Sequence, residues 1–445
     1  MCETSDSIRG KTGTGSVLSL DAVGRQELFL NGTDQIFNGS FKRHSNFTMY
    51  QSVINIKATQ GVVNWPFGQT ILVTLYPQQM GDLLKNMYLK CQLPLLQDVL
   101  QNGTTYIDQV GRALINSIQF SIDGITIEKI YGDWNVIRDQ IYLSADEKVG
   151  LQGLINGGNP EGSPRQSGPI DLYIPLNLFF SNNDASFFPV CAILQQKIYI
   201  TIEFNKVSFF SDTHTPEMFP GSEFQCSLSG FDIVYEQIIV TPEERLYLQS
   251  IDYTLLIETV RLQPVLDIPI LTPRVKNYLV PNIPVETFHW FYRKTIFENP
   301  KTIDPDIIFN RFNFSNSNSQ SLSVQSNNPV LSDAVIFILG DSQLGFFENS
   351  YHNNPQTHYY YKYLEPLTSG FSSPTRNVYT FTFALDPSDG PLTGALDFGK
   401  ITGTDQSFID SSIMSSAEGS NFQMHIFFVA LVNLKFSGGF MKQFL

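Results

Sequence analysis

Ser117–Lys129 reads SIQFSIDGITIEK, with apolar and polar residues alternating on both sides of Asp123-Gly124. Two short strands joined by a dipeptide that tolerates positive φ make a tight hairpin. Val335–Phe347, VIFILGDSQLGFF, draws the same hairpin around Gly340-Asp341. In the first half an aromatic and polar stretch follows, then the strand IDLYIPLNLFF (Ile170–Phe180), a Pro-containing loop and QQKIYITIEF (Gln195–Phe204). The second half keeps this order with VYTFTFALDP (Val378–Pro387), a Pro and Gly loop and MHIFFVALVNLKF (Met424–Phe436). An offset of about two hundred residues is far longer than a solenoid period, so the spacing implies two similar β domains in tandem.

Composition agrees with a building block. The 445 residues suffice for two large β-sandwiches, each able to bury a full core. The chain is 42% hydrophobic but only 16% charged, and it carries 36 Phe and 19 Tyr. So low a charge density predicts that other subunits cover much of the outer surface. The formal net charge is -14 and no basic stripe is present, which argues against direct contact with a nucleic-acid backbone. Cys2, Cys91, Cys191 and Cys226 show no C-x-x-C spacing and read as free thiols of a reducing compartment. The first residues, MCETSDSIRGKTGTG, lack the apolar core of a signal peptide, and the longest apolar run, Ile426–Leu434, is too short to cross a bilayer. A cytoplasmic protein that does not span a membrane is expected.

Along the chain, residues 1–30 form a Gly, Ser and Thr-rich arm without periodicity. Strand signals then recur up to residue 240, for example MYLKCQLP, which places Met87, Leu89, Cys91 and Leu93 on one face. Tyr131–Ile155 reads as helical. TPEERLYLQ (241–249) has Thr241 as N-cap, Pro242 at the first helical position and Glu244 at the third, the pattern of a capping box, and serves as the linker. Residues 250–445 complete the second domain. The Pro, Gly and Asn-rich segments Asn156–Gly168, Ser208–Glu223, Asn313–Asn328 and His352–Arg376 read as surface loops or subunit contacts.

No catalytic, cofactor or metal site emerges. GKTGTG (Gly10–Gly15) lacks the earlier glycine, the preceding strand and the following helix of a phosphate loop. His352 and His358, with Asp341 and Glu348 upstream, match no zinc spacing, and His44 and His214 have no nucleophile context. The carboxylate pairs Asp304/Asp306 and Asp386/Asp389 sit among turn residues. Five N-x-S/T sequons, at Asn31, Asn38, Asn46, Asn102 and Asn313, are the glycosylation candidates; without a secretory signal their occupancy is not expected.

Several segments in a fixed order resemble the major capsid proteins of nucleocytoplasmic large DNA viruses. These are FNGSFKRHSNFTMYQS (Phe37–Ser52), GDLLKNMYLKCQLP (Gly81–Pro94), the hairpin SIQFSIDGITIEK and YGDW (Tyr131–Trp134). IPLNLFF, the TPEERLYLQ linker, the second hairpin, FALDPSDGPLTGALDFGKI (Phe383–Ile401) and Gly438-Gly439 follow. After IPLNLFF the family's Gly-Leu-Ala-Leu-Pro run is replaced by DASFFPVCAIL (Asp184–Leu194). The resemblance implies an all-β double jelly roll, two tandem eight-stranded jelly rolls with short helices in loops and at the linker. It further implies a homotrimeric capsomer of pseudo-hexagonal outline that contacts neighbouring capsomers and, through the arm, minor capsid proteins and the internal membrane of the virion. Such a structural protein needs no catalytic residue and would be assembled in the host cytoplasm. A minor or virophage-like capsid protein of the same fold, a β-sandwich carbohydrate-binding module and a glycosidase are the competing readings.

Overall fold

A computed structural model describes residues 46–56, 68–93, 95, 105–162, 168–182, 186–211, 231–299, 307–339, 341–342, 355–388, 393–401, 407–414 and 420–444. The chain divides into Met1–Asn46 and Phe47–Leu445; every element below belongs to the latter. The arm, Asn31, Asn38, Asn102, Cys2, Cys226, His44, His214, His352, Glu348, Asp304, Asp306 and Asp389 lie outside the described residues.

The first half contains β1 (Phe47–Asn55), β2 (Thr70–Leu75), β3 (Leu83–Leu93), β4 (Ile115–Ile122), β5 (Ile125–Tyr131), β6 (Ile170–Pro175), β7 (Ile198–Phe204) and β8 (Asp232–Val240). They pair antiparallel into two sheets ordered β1-β8-β3-β6 and β2-β7-β4-β5. Strict alternation builds each strand. In β7, Ile198, Ile200, Ile202 and Phe204 are buried, while Tyr199, Thr201 and Glu203 lie between them on the other face. Met87, Leu89, Cys91 and Leu93 of β3 all point into the same core, as the spacing predicts.

The second half contains β9 (Tyr253–Leu262), β10 (Leu266–Ile268), β11 (Arg274–Tyr278), β12 (Pro284–Lys294), β13 (Leu331–Ile338), β14 (Asp341–Ser342), β15 (Val378–Thr382), β16 (Leu396–Asp397), β17 (Phe408–Ile413), β18 (Phe422–Ser437) and β19 (Phe440–Phe444). Its sheets run β10-β18-β12-β15, joined by β9, β16 and β19, and β11-β17-β13-β14. Both β9 and β10 pair with β18, so they form one first strand broken around Pro264. Apart from β16 and β19, the order in which strands neighbour one another then repeats that of the first half, the arrangement of a jelly roll. The irregularities repeat too. An extra residue sits at the second position of β4, Asn116, and of β13, Ser332. The third strand of each half also bulges against the last, at Lys85-Asn86 in β3 and at Glu286 in β12.

Four readings of the sequence are corrected. Ile338 pairs with Asp341, so the second hairpin turns at positions 339–340, not at Gly340-Asp341, and Leu339 carries the positive φ of 54°. MHIFFVALVNLKF is the last strand of its sandwich, the counterpart of β8, and the strand equivalent to QQKIYITIEF is instead FIDSSI of β17. The linker helix spans Pro242–Ser250 with Thr241 as N-cap, yet the Thr241 side chain makes no capping hydrogen bond; the capping box forms at Ser144 and Glu147, which start the helix Ala145–Ile155. The segment His352–Arg376 is not all loop. Helical turns run from Pro355 to Thr368, with a wide π turn over Tyr360–Leu364 that buries Tyr361 and Lys362.

The first hairpin forms as read: Ile122 pairs with Ile125, and Asp123 (φ 47°) and Gly124 (φ 86°) make the two-residue turn. No atom lies within 4 Å of a Cβ built on Gly124. Gly124→Val is therefore expected to destabilise through backbone strain alone, by about 1–2 kcal/mol. Gly150, in the exposed interior of the helix Ala145–Ile155, is equally open but has no positive φ. Gly150→Ala is expected to raise stability by about 0.5–1 kcal/mol. Thermal melts of the two variants check both signs.

Candidate assembly interface

Where β12 pairs with β18, the larger sheet of the second half is buried on both faces. Phe288, Trp290 and Tyr292 of β12 and Met424, Ile426 and Phe428 of β18 point into the second core. Phe291 of β12 and Phe427 and Val429 of β18, one residue out of step, pack instead into the core of the first half. Tyr131 and Trp134 meet this face: the Trp134 ring lies 5.6 Å from His289 and 5.8 Å from Phe427, and Tyr131 lies 6.3 Å from Phe427. The two sandwiches thus share an apolar seam, and the polar side chains trapped in it must find partners there.

They do so around arginines. Arg293 of β12 is fully buried; its Nη1 and Nη2 donate to the two carboxylate oxygens of Asp133 at 3.0 and 3.1 Å, and its Nε donates to Glu298 at 2.6 Å. Arg311 adds two bonds to Asp133, at 3.1 and 3.2 Å, and His425 Nε2 lies 3.0 Å from Glu298. Burial alone would push the Asp133 carboxyl up, but Arg293 and Arg311 overcome it and hold the group well below the usual carboxylate range. Glu298 is drawn down to about 2, again against burial, by Arg293 and by its contact with His425.

A second node centres on Arg376, also buried. It donates to Asp108 at 2.9 Å, to Glu161 at 2.6 Å and to the Phe312 carbonyl at 2.6 Å. Gln140 extends this node by donating to Glu161 and accepting from the backbone and hydroxyl of Thr375. Here burial pushes Asp108 up more than Arg376 pulls it down, while Glu161 and Asp108 together raise Arg376 against its own burial. Between the two nodes Tyr142 Oη and His289 Nε2 are 3.2 Å apart, and burial lowers His289 to about 3, leaving it neutral. At the end of the chain the turn Gly438-Gly439 joins β18 to β19, and this hairpin is strapped to the first half. Leu194 donates to the Gly439 carbonyl at 2.9 Å, and Met441 N–H donates to Gln196 Oε1 at 2.6 Å.

The residues singled out in the sequence are scattered by comparison. Asn46 is exposed. Asn313 is fully buried, its amide donating to the Ser317 carbonyl and its oxygen accepting from Ser315, so in the folded chain this sequon presents no exposed amide. Asp386 accepts from the backbone and hydroxyl of Ser388 in a turn. His358 contacts the Tyr379 hydroxyl at 3.1 Å, inside the second half. Among the described residues no three His, Cys, Asp or Glu side chains converge on a possible metal position. Asp133, Arg293, Glu298, Arg311 and Arg376 escaped the sequence reading; the available signal was a lone arginine in the aromatic strand ETFHWFYRK.

Residues 35–220 match the family described as the N-terminus of the major capsid protein, and residues 244–425 match the large eukaryotic DNA virus major capsid protein. The chain belongs to this family. A probable capsid protein 4 of Acanthamoeba polyphaga mimivirus is 30% identical over 207 residues, covering 43% of this chain and 38% of that protein. A major capsid protein of Phaeocystis pouchetii virus is 26% identical over 224 residues, covering 43% and 41%. The matched part therefore spans about two fifths of the length of these curated relatives. In structure, the chain is similar to a subunit of the PBCV-1 virus capsid, with a TM-score of 0.70 at 15% identity over 92% of this chain and 100% of that one. The Faustovirus major capsid protein gives 0.65 at 11% identity over 92% and 94%. The shared fold is the double jelly roll, and the seam described above is where the two jelly rolls of this capsid-family protein meet.

Removing one partner of a buried ion pair strands the other. Asp133→Ala is expected to destabilise the protein by about 3–5 kcal/mol, because Arg293 and Arg311 keep their charges inside the seam. Lys400→Ala, which breaks the exposed contact with Asp397, should cost under about 0.5 kcal/mol. Chemical denaturation of both variants separates the two cases.

Proposed function

We propose that this chain is a structural shell protein, three copies of which associate into a pseudo-hexagonal capsomer that tiles the icosahedral capsid of a large double-stranded DNA virus. The observation that carries the reading is the repeated jelly roll, down to equivalent bulges, locked into one body by a buried seam. Three copies of a body with two similar domains present six similar edges, enough to tile a hexagonal lattice from one gene product. The domains of this building block are a first jelly roll over residues 31–240, a linker over 241–249 and a second jelly roll over 250–445, with residues 1–30 reaching minor capsid proteins and the internal membrane. The protein acts in the virion capsid, after assembly in the host cytoplasm.

Exposed apolar side chains support burial by neighbours. Phe47, Met49 and Val53 share one face of the edge strand β1 and are 52, 49 and 60% exposed, and Leu246 and Tyr247 on the linker helix are 63 and 62% exposed. A soluble monomer seldom leaves such side chains in clusters. The work of this protein is association, with contacts of obligate size, roughly 2,000 Å² or more each.

Size-exclusion chromatography with light scattering tests the reading. The purified chain is expected to run at three times its own mass at micromolar concentration. A monodisperse monomer would sink the trimer.

A further inference from the structure

A cavity of about 490 Å³ between the linker helix and β9 is apolar, but nothing beside it identifies an occupant. The second seam cavity, of about 350 Å³, carries more chemistry. The first half lines it with Glu128, Tyr142 and Arg138, and the second half with Glu258, Val260 and Val429. Bulges surround it. The shift in register between β4 and β5 falls at Ile127, beside Glu128, and the β3 bulge supplies Lys85 and Asn86 to the wall. The β12 bulge is Glu286 itself, only 2% exposed and close enough to Glu258 to repel it.

Two of these three carboxyls are poorly served. Glu128 is 1% exposed and accepts from the Phe179 N–H at 2.8 Å and, from the second half, from the Val260 N–H. Among the described residues no hydrogen bond reaches the side chains of Glu258 or Glu286. The nearby cations are engaged or distant: Arg138 donates to Asn177 at 3.3 Å, Lys85 Nζ lies 4.7 Å from the centre of the Phe187 ring, and Arg261 offsets only part of the burial of Glu128. Glu147, also on the wall, is occupied by its cap with Ser144, and His289 is neutral. Two carboxylates without protein donors, facing a third across a confined cavity, favour the neutral acid.

We propose that this carboxyl cluster makes the seam a pH-sensitive latch, tight while its acids are protonated and loosened as they ionise toward alkaline pH. Burial raises Glu128 and Glu286 to about 8, and burial also raises Glu258. Each folded-state value lies above that of the unfolded chain, 4.5, so the folded protein holds the extra protons. Their contribution is complete below pH 4.5 and is lost as pH rises to about 8. Buried histidines work in the opposite sense: His289, His358 and His425 are lowered from 6.5 by burial, and they penalise folding only below that value. Between pH 6.5 and 8 the histidines are silent, and glutamine at the cluster separates its carboxyls from Asp108 and Asp139, which burial also raises.

Thermal melts of the full chain across pH 6.5–8, for wild type, Glu286→Gln and Glu128→Gln/Glu286→Gln, test the latch. Glutamine copies the neutral acid. Wild type is expected to lose stability with rising pH, each carboxyl contributing up to tenfold in the folding equilibrium per pH unit. The single variant should lose part of that slope and the double variant most of it. Equal slopes in all three proteins, or a wild type that is flat or gains stability, would overturn the proposal. If a variant does not fold, hydrogen exchange of wild type at pH 6.5 and 8, corrected for intrinsic rates, decides. Faster opening of Tyr253–Leu262 and Pro284–Lys294 at pH 8 supports the latch, and unchanged protection refutes it.

Discussion

A sheet covered on both faces cannot leave its polar groups to water, and the middle of the β9-β18-β12 sheet is covered in this way. One face is closed by its own sandwich, while the other is closed by β5, the helix Gly132–Ile141 and Phe179, Phe180 and Phe188 of the first half. Arg293 stands near the end of β12 on that second face, and its donors are matched by Asp133, Glu298 and the Arg311 carbonyl. Remove the first half and this face would expose Phe291, Phe427 and Val429 together with a guanidinium that keeps Glu298 but loses both bonds to Asp133. The two jelly rolls are thus bound to one another as layers of a single core.

The duplication is close in topology and loose in environment. Strand order, the second-position bulge of β4 and β13 and the bulge in the third strand are common to both halves. In the corresponding sheet of the first half, β1-β8-β3-β6, Phe47, Met49 and Val53 on the edge strand stay exposed. Equivalent surfaces thus have different uses: one closes the seam inside the chain, the other is open to a neighbour. This asymmetry is what a body needs if it is to be rigid within and adhesive without.

Much of the fold was legible in the residues. Period-two patterning in β3 and β7 and the Asp123-Gly124 turn report purely local preferences, and local preferences and structure agree there. The strand FIDSSI was missed because Asp410 and Ser411 are buried polar residues, Asp410 held by Arg274 at 2.7 Å, so no apolar stripe marks it. The helical turns after Pro355 were hidden by Tyr, His and Asn, a composition typical of loops; burial of Tyr361 and Lys362 stabilises them instead. The second turn was placed one residue late because a leucine at positive φ is rare, and tertiary packing had to override that preference. The seam was not legible at all: Asp133 and Arg293 are 160 residues apart, and nothing in one sequence pairs them.

Native-state hydrogen exchange as a function of denaturant tests the central claim most directly. The amides of Ile115–Ile122 in one half and Leu331–Ile338 in the other lie in the sheets that do not carry the arginine node. If the shared core makes the two jelly rolls one cooperative body, their slowest amides should converge on the same opening free energy and the same denaturant dependence. Two separate openings, with one half exchanging at a free energy several kcal/mol below the other, would contradict the account.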